Sequence, residues 1–114
     1  MSATHDPMIG ARVHDSDDPE PDDARVVNVP GKPADEWTVA DGDHTVATYP
    51  GNEGYAEDAP VVIVVFEDEL AEHGLGDWGG DQPLQLSDLA DQGVMYWAFP
   101  APRLEVIAVP GALP

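Results

Sequence analysis

Two unbroken apolar runs dominate the chain, Val61-Val-Ile-Val-Val-Phe66 and Val94-Met-Tyr-Trp-Ala-Phe99. The first is almost wholly β-branched and has no polar alternation, which predicts a central strand over 61–66 buried on both faces. The second predicts a strand whose Met95, Trp97 and Phe99 share one face and whose Tyr96 takes the other. Shorter runs flank them. Arg25–Val29 is β-rich and closed by Pro30-Gly31, while Arg103–Val109 alternates, with Leu104, Val106 and Ala108 facing opposite to Arg103 and Glu105.

Turn chemistry divides the rest. Asp41-Gly42 between 36–40 and 43–48 is a strong hairpin signal. A two-residue turn there sets Trp37 opposite Val46 and Val39 opposite His44, gathering Trp37, Val39 and Val46 on one face and the threonines Thr38 and Thr45 on the other. Tyr49–Tyr55 is turn material, with Asn52 and Glu53 at an exposed bend. Glu67–His73 predicts a helix of about two turns stopped by Gly74, and Ser87 is the expected cap of a second short helix ended by Gly93.

These elements predict an α+β fold: a small mixed, largely antiparallel sheet of about five to six strands with two short helices between the central strand (61–66) and the strand at 94–99. The strand–helix–strand passage suggests a right-handed parallel crossover, with the helices covering one face. Residues 1–24 carry Asp-Pro, Asp-Asp-Pro-Glu-Pro and Asp-Asp with little apolar content, and read as an acidic, mostly disordered arm with a short extended piece around Ile9–His14. A single domain is expected over 25–114.

Charge adds the solvent. The chain has 23 acidic residues against 4 basic ones and a net charge of −19. Only seven of the carboxylates fall in residues 1–24, so the acidity is global. The four cations, Arg12, Arg25, Lys32 and Arg103, cannot neutralise the remainder. Self-repulsion then disfavours the compact state in dilute buffer. Screening acts over about 10 Å at 0.1 M salt and about 3 Å at 1 M, so molar salt removes that penalty. The composition resembles that of halophilic proteomes, whose cytoplasm holds molar salt, and points to a cytoplasmic protein.

The same charge argues against direct nucleic-acid binding and against anionic membrane surfaces, since each needs a basic patch. The chain has no cysteine, no apolar stretch long enough to span a bilayer, and no basic–apolar leader. No cofactor motif is present. A divalent cation is the one cofactor the ligand types suggest. Asp41, Asp43 and His44 crowd one turn, and Glu69 and His73 stand four apart on one helix face. Turn formation and helix-end electrostatics explain the same residues without a metal.

Two further candidates remain. The Gly-rich loop carrying Asp77, Trp78 and Asp81 is a ligand loop if Trp78 faces solvent and a core plug if it turns inward. The Met95, Trp97 and Phe99 stripe is core where a helix covers it and a protein or homodimer interface where none does. The favoured function is therefore a non-enzymatic interaction domain. A small metal-assisted enzyme and an acidic nucleic-acid mimic are the alternatives. The charge reading makes a direct prediction: dialysis from about 2 M to about 0.05 M KCl withdraws screening and lowers the thermal midpoint or abolishes tertiary structure. An unchanged melting curve, followed by near-ultraviolet circular dichroism, contradicts it.

Overall fold

The computed structural model describes residues 8–39 and 42–108. Five strands form one sheet: β1 (Arg12–Asp15), β2 (Ala24–Asn28), β3 (Val61–Phe66), β4 (Trp97–Pro100) and β5 (Leu104–Ala108), hydrogen-bonded in the order β4-β3-β2-β1-β5. Two six-residue helices, α1 (Glu67–Glu72) and α2 (Leu86–Asp91), lie between β3 and β4. The fold is the expected α+β domain, with the central strand at 61–66.

Every strand pairing is antiparallel, so the sheet is not mixed and the parallel crossover does not occur. Each helix is about 9 Å long, less than half the roughly 20 Å of β3. The connection returns the chain to the end of β3 it left, Trp97 pairing with Val64, and β4 runs back alongside.

The sheet cannot be flat. Its edge strands β4 and β5 are joined by only Ala101–Arg103, a 3₁₀ turn. In a flat sheet the edges would be four spacings apart, about 19 Å, whereas four Cα steps reach at most about 14 Å even when extended. Register tells the same story. The chain leaves β4 with Pro100 opposite Val61, at one end of β3, and starts β5 with Leu104 opposite Asp15, two residues beyond the Val13–Ala24–Phe66 row at the other end of β3. Only a curled, strongly sheared sheet brings these points together.

Curling creates two apolar compartments, and β3 separates them. Val62 and Val64 join Ala11, Val13, Ala24, Val26 and Leu104 on one face. Val61, Ile63 and Val65 join Val27, Ala34, Val46, Leu70, Leu89 and Val94 on the other, which the helices cover. Period-two alternation thus explains why an uninterrupted β-branched run is needed: both faces of β3 are dry.

β1 overlaps the short extended piece expected around Ile9–His14, inside an arm otherwise expected to be disordered, and Ala24 opens β2, so the boundary placed between residues 24 and 25 falls within the sheet. Ala11, Val13 and Ala24 supply small buried side chains that the surrounding acidic composition conceals. The acidic run between the strands is exposed and self-bonded: Asp15 Oδ1 accepts from the Asp17 N–H and Asp18 Oδ1 from the Glu20 N–H. Residues 1–7 lie outside the described residues.

The hairpin keeps its expected register without becoming a named strand pair. Thr38 bridges Thr45, the Val39 N–H donates to the His44 carbonyl, and the Val46 N–H donates to the Trp37 carbonyl. Val46 is fully buried, with Trp37 and Val39 packed on the same cluster. Strand 94–99 is shorter than expected because Val94 caps α2 and the Met95 N–H donates to Glu69 Oε2. Ser87 is not a cap: α2 starts at Leu86 behind Gln85, without a side-chain cap. Leu84 fixes that entry, its N–H donating to the Val27 carbonyl while its own carbonyl accepts from Asn28 Nδ2.

Both helices end alike. Leu70-Ala-Glu-His-Gly-Leu75 and Leu89-Ala-Asp-Gln-Gly-Val94 repeat one pattern. In each, the residue after the glycine donates to the buried leucine carbonyl five residues back, and the glycine donates to the alanine carbonyl. The glycines hold φ of +73° and +75°. This is the Schellman closure, with its hydrophobic contact made by Leu70–Leu75 and Leu89–Val94.

A Cβ at Gly74 or Gly93 would touch nothing, whereas one at Gly80 would stand 2.8 Å from the Gly10 Cα. Gly74→Ala and Gly93→Ala should therefore each cost about 1 kcal/mol, from backbone strain alone. Gly80→Ala should cost more, because the loop must also move off Gly10. Denaturant melts in about 2 M KCl give the ranking, and equal losses at all three sites would contradict the packing argument.

Candidate functional site

The curled sheet leaves β4 with an unpaired side. On its paired side the Ala101 N–H donates to the Pro60 carbonyl at 2.8 Å, which makes Phe99/Val62 and Trp97/Val64 the hydrogen-bonded pairs of the ladder. The intervening Ala98 accordingly turns its N–H and C=O away from β3, toward the open side.

A cleft of about 490 Å³ runs beside this edge. Met95–Phe99 form one wall, Trp37–Val39 of the hairpin another, and Tyr49, Pro50 and Asn52 a third, with Phe66, Asp15 and Arg103 completing the lining. Six of the chain's eight aromatic side chains are here: Trp37, Tyr49, Phe66, Tyr96, Trp97 and Phe99. Phe66 and Trp97 meet edge to face at 6.5 Å, and Tyr49 meets the His44 ring in the same manner at 5.9 Å. Met95, Trp97 and Tyr49 are 58%, 44% and 40% exposed. Three large apolar side chains of the lining are thus substantially open to solvent.

The polar end of the cleft is one locked cluster. Arg103 binds Asp15 through two parallel bonds, Nε to Oδ1 and Nη2 to Oδ2, each 2.8 Å. Its Nη1 donates to Asn52 Oδ1 at 2.8 Å, and Asn52 Nδ2 donates to the Val46 carbonyl. Asn52 is 3% exposed, so the bend expected to be exposed is exposed at Glu53 and buried at Asn52. Its burial is compensated by one bond within the neighbouring loop, to Val46, and one from Arg103, 51 residues away. The Arg103 guanidinium also lies 5.3 Å from the Phe99 ring centre, a cation–π contact.

Burial acts to raise the Asp15 carboxyl. The Arg103 bonds, the Asp17 N–H and the guanidinium charge outweigh it and hold Asp15 below the ordinary carboxylate range. The hydrogen bond from Arg103 to Asp15 leads in raising the Arg103 guanidinium in turn, against its own burial.

The sequence-predicted candidates fall in three places. Met95, Trp97 and Phe99 are in the cleft, where Phe99 also packs against the inner core. Asp43 and His44 border the hairpin turn, and Asp41 lies outside the described residues. Glu69 and His73 meet at 3.1 Å on α1, where Glu69 also receives the Met95 N–H. That gives two ligands for a metal. Among the described residues no three His, Asp or Glu side chains gather as a metal site.

Trp78 is part-buried against the helix-side core, with Arg25 5.4 Å above its ring and its indole N–H donating to the Gln82 carbonyl, while Asp77 and Asp81 are exposed beside it. This loop does not line the cleft. Sequence reading missed Asp15, Trp37, Tyr49, Asn52, Phe66 and Arg103 as site residues. Only the 95/97/99 alternation pointed there. Comparison with protein-family models, curated proteins and solved structures finds no match to this chain.

Because Asp15 binds protons less readily in the folded chain than in the unfolded one, its contribution to stability is present above the ordinary carboxylate value of about 3.9 and fades as pH falls through the lower native value. Asp15→Asn should cost about 1–3 kcal/mol near neutrality, leaving the part-buried Arg103 without its main partner. It should also flatten the loss of stability between about pH 5 and pH 2. Thermal midpoints against pH check both, and an acid limb as steep as the parent's would contradict the assignment.

Proposed function

We propose that this protein is a non-enzymatic interaction domain that receives its guest in the aromatic cleft beside β4, and that it works in a salt-loaded cytoplasm. The observation that carries the reading is the gathering of six aromatic side chains from distant parts of the chain around one open strand edge. Burying large rings elsewhere in the core would be more favourable for stability alone. Concave, mostly apolar sites with a few converging polar groups are the usual form of a binding pocket.

The charged groups of the lining favour binding over catalysis. Asp15 and Arg103 neutralise each other, and a carboxylate held in a two-bond ion pair is a weak general base. No helix among the described residues is long and apolar enough to cross a membrane. A cleft whose exposed part is aromatic also suits molar salt, since apolar contact persists there while long-range attraction between charges is screened.

The test is a titration of ¹⁵N-labelled protein with a neutral aromatic fragment, benzyl alcohol, in about 2 M KCl. The indole resonances of Trp37 and Trp97 should move together and saturate, while that of Trp78 stays in place. Movement of Trp78 alone, or of none of the three, overturns the reading.

A further inference from the structure

The geometry points to one class of guest: an extended basic segment of a partner protein, laid along the open side of β4 with an arginine side chain among Trp37, Tyr49 and Trp97. The inference rests on the cleft being a binding site and adds what it selects. Four observations converge on it.

The rings come first. Aromatic faces attract cations, and attract weakly hydrated ones most readily, because little solvation is lost on contact. This cleft already holds one guanidinium that way, Arg103 over Phe99 at 5.3 Å. The exposed rings of Tyr49 and Trp97 offer the same surface to a second cation.

Charge comes next. Arg103 is the one basic residue of the lining, and its guanidinium is engaged by Asp15, with Asp17 3.6 Å away. Two further carboxylates adjoin the lining, Glu69 on the Met95 N–H and Glu53 on the Gly51 N–H, in a chain of net charge −19. An anionic guest is repelled, a neutral one is indifferent and a cationic one is favoured. At molar salt the steering falls off within about 3 Å, so discrimination depends on the short-range ring contact. A second copy of this chain is a poor guest, because three of its four basic residues, Arg12, Arg25 and Arg103, are already held by Glu67, the Gly10 carbonyl and Asp15.

The strand edge supplies the third observation. The outward N–H and C=O of Ala98 fit one residue of an added antiparallel strand, the mode in which main-chain bonds give affinity and side-chain pockets give selectivity. Size is the fourth. A volume of about 490 Å³ exceeds what a single small cationic head needs and suits several residues of extended chain.

The experiment uses the full chain in about 2 M KCl and three probes: a blocked peptide Gly-Val-Arg-Val-Gly, the same peptide with citrulline for arginine, and N-methylguanidinium alone. Citrulline keeps the shape and removes the charge. The arginine peptide should bind at least about tenfold more tightly than the citrulline peptide, with Trp37 and Trp97 indole shifts. N-methylation of the residues flanking the arginine should weaken it, and the Trp97→Leu variant should bring the two peptides toward equal affinity.

Equal affinities for the parent protein overturn the cationic guest while leaving an apolar binding cleft intact. N-methylguanidinium binding as tightly as the peptide overturns the strand and assigns a small molecule. Trp97 shifts that depend on protein concentration without any probe overturn the partner in favour of a second copy. If neither peptide binds while benzyl alcohol still does, the basic segment is overturned and the cleft remains. Failure of all probes removes both.

Discussion

The three-residue turn between β4 and β5 constrains this molecule more than any other feature. Edge strands that would lie about 19 Å apart in a flat sheet must meet within the reach of Ala101–Arg103, so the sheet has to curl. Curling gives a domain of modest size a second interior, lined by Val13, Val26, Val62, Val64 and Leu104, in addition to the face covered by the helices. It also leaves a seam, because β4 and β5 are the ends of the hydrogen-bonded order. Arg103 sits at that seam and ties it: one guanidinium holds β1 through Asp15, the 49–52 loop through Asn52, and the ring of Phe99 on β4. The cleft is what remains open once those ties are made.

How much of this was legible in the sequence follows the range of the interactions concerned. Strand β3 is legible to the residue, because a run that is β-branched in all but its last position has few other uses. The hairpin register followed from Asp41-Gly42 alone, and both helix ends followed from Gly74 and Gly93, since a positive φ is a local demand. Residues 12–15 were the opposite case. Arg12-Val-His-Asp15 is too short and too polar to announce more than an extended piece, and what makes it a strand is a set of partners far away, with Asp15 reaching Arg103 across 88 residues. Asn52 was assigned to an exposed bend for the same reason: both groups that satisfy its amide, the Val46 carbonyl and Arg103, are set by the fold.

The site was the least legible part. Its aromatic residues come from the hairpin, the 49–52 loop, the end of β3 and β4, and no spacing in the chain announces their convergence. The alternation of Met95, Trp97 and Phe99 gives the single local clue, and by itself it reads as core where a helix covers it and as an interface where none does. The acidic and His-containing clusters drew attention because their chemistry is conspicuous. In the fold Glu69 binds both His73 and the Met95 N–H, at the close of one helix and the approach to β4.

The contrast between surface and cleft gives the remaining step. A carboxylate-coated surface interacts through forces whose range shrinks from about 10 Å to about 3 Å as salt rises to 1 M. Such a surface carries little positional information in brine, where an approaching molecule senses it only on contact. Ring faces, an open strand edge and a tightly paired Arg–Asp lock behave differently, because they act at contact distance in a partly desolvated space. The three arginines are used accordingly. Arg12 and Arg103 join strands to their neighbours, Arg25 covers Trp78, and Arg103 organises the cleft. On the function proposed above, the acidity would keep the molecule dispersed in brine, and recognition would be left to the short-range groups gathered at the seam.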